Sequence, residues 1–256
     1  MFDTHAHLCD PVFSDDLDEV IDRARRAGVC GIVAVGEDLA DARRNLEIAQ
    51  SYPSMVSVAA GLFPTILDAS QADELVGWIR RQRGDLIAIG EVGLDYWKVP
   101  EGDGRALQRD IFTRFVDLAI ELDLVLNVHS RSAGRATLEV LLDRGAKRVQ
   151  MHAFDGRAAK ALPGVESGYC FSVPPSIVRS PQKQKLVRRL PLSCLLLETD
   201  SPVLAAVPGE RNEPAQVTAS LDAIASLKEL DREQVREVVA ANTRRLYRGL
   251  GEPLNE

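Results

Sequence analysis

The chain has 256 residues, 45% hydrophobic and 27% charged, with a net charge of −7. That apolar share fills a sizeable core and excludes a disordered or fibrous chain. The acidic balance weighs against a broad nucleic-acid-binding face, which neutralises several phosphates at once with Lys and Arg. No apolar run, VCGIVAVG and SCLLLE included, approaches the ~20 residues that cross a bilayer. Met1 leads straight into FDTHAHL, without the basic and apolar regions of a signal peptide, so a cytoplasmic protein with no membrane partner is expected. Cys9, Cys30, Cys170 and Cys194 are scattered singly and read as reduced thiols filling small apolar spaces.

In chain order, short aliphatic runs alternate with longer amphipathic ones. Strands are expected at 1–4, 31–36, 55–61, 86–91, 124–129, 148–152, 168–173 and 194–200, most of them apolar on both faces. The first helix pattern, SDDLDEVIDRARRAG, has Ser14 as its expected N-cap, acids in its first turn, bases in its last, and Gly28 as its stop. Further patterns fill the other intervals; Pro163 should leave the sixth helix short or broken, and Asp231 caps a terminal one. Strands buried on both faces between helices belong to a parallel sheet. With no repeat and no linker, eight βα units in one α/β (β/α)8 TIM barrel spanning residues 1–256 is the expected architecture, and a doubly wound open sheet is the alternative.

A barrel of this kind carries its reactive groups at the carboxyl ends of its strands. His5 and His7 follow the first run, Glu91 ends the fourth, His129 the fifth, His152 the sixth and Asp200 the eighth, a set that includes all four histidines of the chain. On an extended segment, H-x-H turns both imidazoles to the same side, within reach of one ion. Six nitrogen and oxygen ligands are too many for one tetrahedral centre and suit two. Imidazole and carboxylate without thiolate point to Zn²⁺, Mn²⁺ or Mg²⁺. The expected arrangement has His5, His7 and Asp200 on one ion, His129 and His152 on the other, and Glu91 bridging them. Paired ions about 3.5–4 Å apart clamp the attacking and leaving oxygens of a displacement. The chemistry is therefore hydrolysis by a metal-activated hydroxide, with Asp200 as general base and Glu91 as the second catalytic carboxylate. Asp3 is expected to orient a histidine, and Asp95 and Glu198 to support ligands. Arg131 and Arg211 lie in loops of the same face and are expected to grip an anionic substrate, with structural ion pairs as the other reading of each.

The segments DTHAHL, AIGEVGLDY, NVHSR, HAFDG, LLLETDSP, RNEP and NTRRLY, in that order, resemble the TatD family of metal-dependent deoxyribonucleases within the amidohydrolase superfamily. The resemblance covers essentially the whole chain and is strongest to the branch of the third animal TatD-domain paralogue. It implies the barrel, a divalent pair on His5, His7, Glu91, His129, His152 and Asp200, and hydrolysis of DNA, as a 3′–5′ exodeoxyribonuclease on single-stranded ends. DNA is then the substrate partner, with no obligate protein partner. One departure stands out: GLFPTIL puts Phe63 where the family usually has a histidine before proline. That removes a polar group expected near the scissile phosphate and leaves an aromatic ring on which a base can stack. The same barrel and metals also support hydrolysis of C–N or ester bonds, as in a D-aminoacyl-tRNA deacylase, or a metal-loaded binding protein with little turnover.

Overall fold

Buried strands and amphipathic helices alternate along the chain in a computed structural model that describes residues 1–251. The strands are β1 (Phe2–Ala6), β2 (Gly31–Ala34), β3 (Val56–Ala60), β4 (Leu86–Gly93), β5 (Val125–His129), β6 (Val149–Met151), β7 (Cys170–Val173) and β8 (Leu195–Leu197). They pair in sequence order, every neighbour parallel. Backbone bonds then bring the last strand to the first: Asp200 N–H donates to His5 O and His7 N–H to Ser201 O, each at 2.8 Å. The ring is a nearly closed TIM barrel, and the open-sheet alternative falls away.

Outside it run α1 (Leu17–Arg26), α2 (Leu39–Ser51), α3 (Ala69–Arg81), α4 (Asp103–Leu122), α5 (Gly134–Asp143), α6 (Ala158–Glu166), α7 (Pro181–Arg189), α8 (Val217–Lys228) and α9 (Arg232–Leu246). Their apolar faces meet the outward side chains of the strands in one continuous core. Inside, Phe2, Val33, Ala59, Ala88, Val125, Cys170 and Leu196 converge, and Tyr247 and Leu250, just after α9, pack against them. Above this plug lies a polar layer. Asn127 donates to Thr4 O and Tyr247 Oη, Tyr247 donates to Gln150, and Gln150 to Ser172. Buried amides and hydroxyls are tolerated there because each finds a partner.

Some local expectations change. Ser14 does not cap α1; its N–H closes a 3-10 turn over Pro11–Phe13. Asp16 precedes the helix instead, and its carboxylate binds Arg23 and Arg211 rather than the helix amides. Gly28, at φ +84°, stops the helix as expected. α6 is short but runs through Pro163 unbroken, and Asp231 caps α9 through the amides of Glu233 and Gln234. β8 stops at Leu197, so Asp200 stands in the loop beyond it, whereas β4 continues past Glu91 to Gly93. Among the described residues no helix is long and apolar enough to cross a membrane.

The continuation of β4 depends on Gly93, whose φ is +151° and whose added Cβ would lie 2.0 Å from His129 O. Gly93→Ala is expected to destabilise the fold by about 3 kcal/mol through combined strain and overpacking. A fall in the urea midpoint at unchanged slope checks this.

Candidate metal centre

β1 presents His5 on the inner face of the barrel, and the chain turns His7 to the same side two residues later. Their Nε2 atoms lie 3.3 Å apart. Glu91 points in from β4. Asp200, at φ +57°, adopts the left-handed backbone that aspartate tolerates better than most residues. His5 Nε2 lies 3.7 Å from Glu91 Oε2 and 3.4 Å from Asp200 Oδ1; His7 Nε2 lies 3.5 Å from each. Three of these atoms, His5 Nε2, His7 Nε2 and Asp200 Oδ1, lie 3.3–3.5 Å from one another, close enough for one ion to touch all three.

The other carboxylate oxygen of Glu91 serves the far side. Oε1 lies 2.6 Å from His129 Nδ1 and 3.3 Å from His152 Nε2. His152 also stacks on His5, ring centroids 3.8 Å apart, and joins a compact triad with His5 and Glu91, while His5, His7 and Asp200 form another. His129 stands outside both. The expected pairing of His129 with His152 is therefore present only through their shared approach to Glu91 Oε1.

Hydrogen bonds behind the rings decide which nitrogens carry protons. Asn127 Nδ2 donates to the Thr4 carbonyl, so its Oδ1 faces His5 Nδ1 at 2.8 Å and must accept from it. His5 Nε2 is then left with a lone pair. Glu198 Oε2 accepts from His152 Nδ1 at 3.1 Å and Asp95 Oδ2 from His129 Nε2 at 3.0 Å, leaving lone pairs on the cavity-facing nitrogens of these rings too. Those lone pairs face carboxylate oxygens, acceptor against acceptor, an arrangement that a bound cation or a second proton on the ring reconciles. The donor set fits a divalent metal.

The electrostatics agree. Burial disfavours a charged His7, yet Asp200 and Glu91 outweigh it and raise its pKa to about 10. His129 is likewise raised to about 9, against its burial, by Glu91 and Asp95. Burial would push the Glu91 carboxyl up, but the charges of His152 and His129 and hydrogen bonds from His129 and His7 hold it well below the usual range. Asp200 is lowered for the same reason, by His152, His5 and His7. Without metal, protons serve as the cations that this cluster of carboxylates demands.

A cavity of 440 Å³ opens onto the cluster, lined among others by Phe63, Arg131, Ser130, Lys183 and Glu37. Phe63 meets His129 edge to face, centroids 5.2 Å apart. Arg131 lies at the mouth with its guanidinium 3.8 Å above the Trp97 ring. Arg211 is not brought there: Asp16 takes its guanidinium in a forked ion pair and Phe13 lies beneath it, so the structural reading of this residue holds. Asp3 orients no imidazole. It accepts from the His5 and Thr199 amides and the Thr199 hydroxyl, tying β1 to the segment after β8. Asp95 and Glu198 accept hydrogen bonds from the rings of His129 and His152. Asn127 was not singled out from the sequence, although a polar residue two before His129 on an apolar strand must share its inward face. Lys183, on the amphipathic α7, carried no such signal.

The family model for TatD-related DNases matches residues 2–248. The chain is 40% identical to human deoxyribonuclease TATDN3, over 96% of this chain and 94% of the relative. It is 34% identical to YabD of Bacillus subtilis, named an uncharacterized metal-dependent hydrolase, over 97% of this chain and 99% of that one. The crystal structure of YJJV, a TatD homolog from Escherichia coli, matches with a TM-score of 0.87 and 28% identity, covering 96% of this chain and 97% of the other.

Asp95→Asn keeps an oxygen for the Trp97 and Lys98 amides but turns an amide donor toward His129, reversing that ring's tautomer. Metal affinity is expected to fall about 10–100-fold with folding retained, as read by competition with a chromogenic chelator. His7 is protonated at neutral pH, given its pKa of about 10, and must lose that proton to bind metal. Zn²⁺ binding should therefore release protons and tighten as pH rises toward the His7 pKa of about 10, which calorimetry in buffers of different ionisation enthalpy measures.

Proposed function

The chain belongs to the TatD-related DNase family, and on that premise we propose that it hydrolyses DNA phosphodiester bonds as a metal-dependent 3′–5′ exodeoxyribonuclease on single-stranded ends. The observation that carries this reading is the Glu91 carboxylate, which faces His5 and His7 with one oxygen and His129 and His152 with the other. His5, His7 and Asp200 would hold one divalent ion, His129 and His152 a second, and Glu91 both. Zn²⁺, Mn²⁺ and Mg²⁺ all suit these donors. Such ions lower the pKa of water and neutralise charge on a phosphoryl group.

The remaining roles belong to the chain's own side chains. Asp200 Oδ1 faces the histidines, so its carboxylate stands beside the attacking water and accepts its proton. Arg131 extends from the mouth to a non-bridging phosphate oxygen. Phe63 offers an apolar wall against which a base stacks. A cavity of 440 Å³ takes a ligand of about one nucleotide's size, which supports action on an end rather than along a duplex. The apolar Phe63 also supports a second reading, hydrolysis of a C–N or ester bond whose leaving group needs no side-chain proton donor at that position.

Labelled single-stranded oligonucleotides with Mg²⁺, Mn²⁺ or Zn²⁺ separate the readings. The expected result is a ladder shortening from the 3′ end, with kcat about 10²–10⁴-fold lower in Asp200→Asn. Intact oligonucleotides alongside rapid turnover of D-aminoacyl esters would replace the first reading with the second.

A further inference from the structure

Lys183 lies early in α7 and reaches the cavity half-buried. Its Nζ donates to Ala153 O at 3.0 Å, using one of the three donors of an ammonium group. The carboxylates around it belong to Glu198, Asp200 and Asp155, yet no carboxylate of the described residues forms an ion pair with it. Each of the three is engaged elsewhere: Glu198 by His152, the Ala153 amide and Ser172, Asp200 by His5 and His7, Asp155 by the Ser132 amide. Burial pushes the ammonium pKa down, as expected for a desolvated cation short of countercharge. On the same cavity's wall, the buried Ser130 hydroxyl has no hydrogen-bond partner among the described residues. A wall with donors left over and no acceptor to meet them lacks an anion.

We propose that Lys183, aided by Ser130, forms an anion subsite that holds a phosphoryl group of the substrate beside the metal cluster. This rests on the hydrolase reading above and deepens it. The subsite adds positive and donor character to a cavity that Phe63 also lines with an apolar ring. Lys183 binds non-bridging oxygens and transfers no proton.

The test is calorimetric binding of inorganic phosphate to the metal-loaded protein, with metal content checked for each variant. Lys183→Met is expected to weaken phosphate about tenfold or more, the value of a charged hydrogen bond. Lys183→Gln, which keeps a donor for Ala153 O but no charge, should show the same loss, and Lys183→Arg should restore most of the affinity. In the oligonucleotide assay the loss should appear in KM. Phosphate affinity unchanged within about twofold in folded, metal-loaded Lys183→Gln would overturn the subsite and leave Lys183 a strut for the loop after β6. Phosphate binding that depends on Lys183 in a protein that leaves oligonucleotides intact would uphold the subsite and remove the nuclease reading.

Discussion

The site is organised around one buried carboxylate approached by four imidazoles. Glu91 is 2% exposed, and a charge so placed is tolerated only if it is paired. Here three of the four pairing nitrogens, those of His5, His129 and His152, belong to rings whose proton is drawn to the opposite side. The cluster therefore satisfies itself with a cation or with stray protons, and the raised pKa values of His7 and His129 record the second solution. Metal specificity then rests less on Glu91 than on how rigidly the rings around it are held.

That rigidity comes from the barrel. Asn127 fixes His5 and is itself fixed by Thr4 and by Tyr247, which rises from the far end of the barrel after α9. Glu198 fixes His152 and also the Ala153 amide and Ser172. The polar layer is thus continuous with the metal cluster, and the terminal helix supports the site without approaching it. A polar interior gives up the apolar packing that usually fills such barrels. In exchange His5, His129 and His152 are held from behind in the tautomer that leaves the cavity-facing nitrogen free, as metal binding requires.

The strands and the convergence of the six candidate residues were legible because the signals were local: apolar runs of fixed length, and polar residues at their ends. H-x-H with alternating side chains is a statement about one segment. What was missed depended on distant partners. Arg211 looked like a loop cation until Asp16, 195 residues earlier in the chain, was seen to hold it. Asp3 was close in sequence to the histidines, but ring closure turned it to Thr199. Ser14 had the composition of a cap, and a preceding proline turn absorbed it. Lys183 differs from its neighbours Lys185 and Arg188 only in the helix face it occupies, and that face is defined by the cavity, which no window of sequence contains.

An acidic chain and a polyanionic substrate are compatible when the attraction is local. Much of the Arg content is spent on neighbouring carboxylates, as with Arg23 and Glu213, Arg80 and Glu121, or Arg144 and Asp117, so it offers no broad field. Charges more than about 8–10 Å from the phosphate are screened at physiological salt. What remains around the cavity is the candidate metal cluster, Arg131 and Lys183. Glu37 also lines the cavity, its carboxyl pushed up by burial against the opposing charge of His7. On the proposed reading, such a site would hold one phosphoryl group and give little purchase to the rest of a long strand, the electrostatic pattern suited to an end.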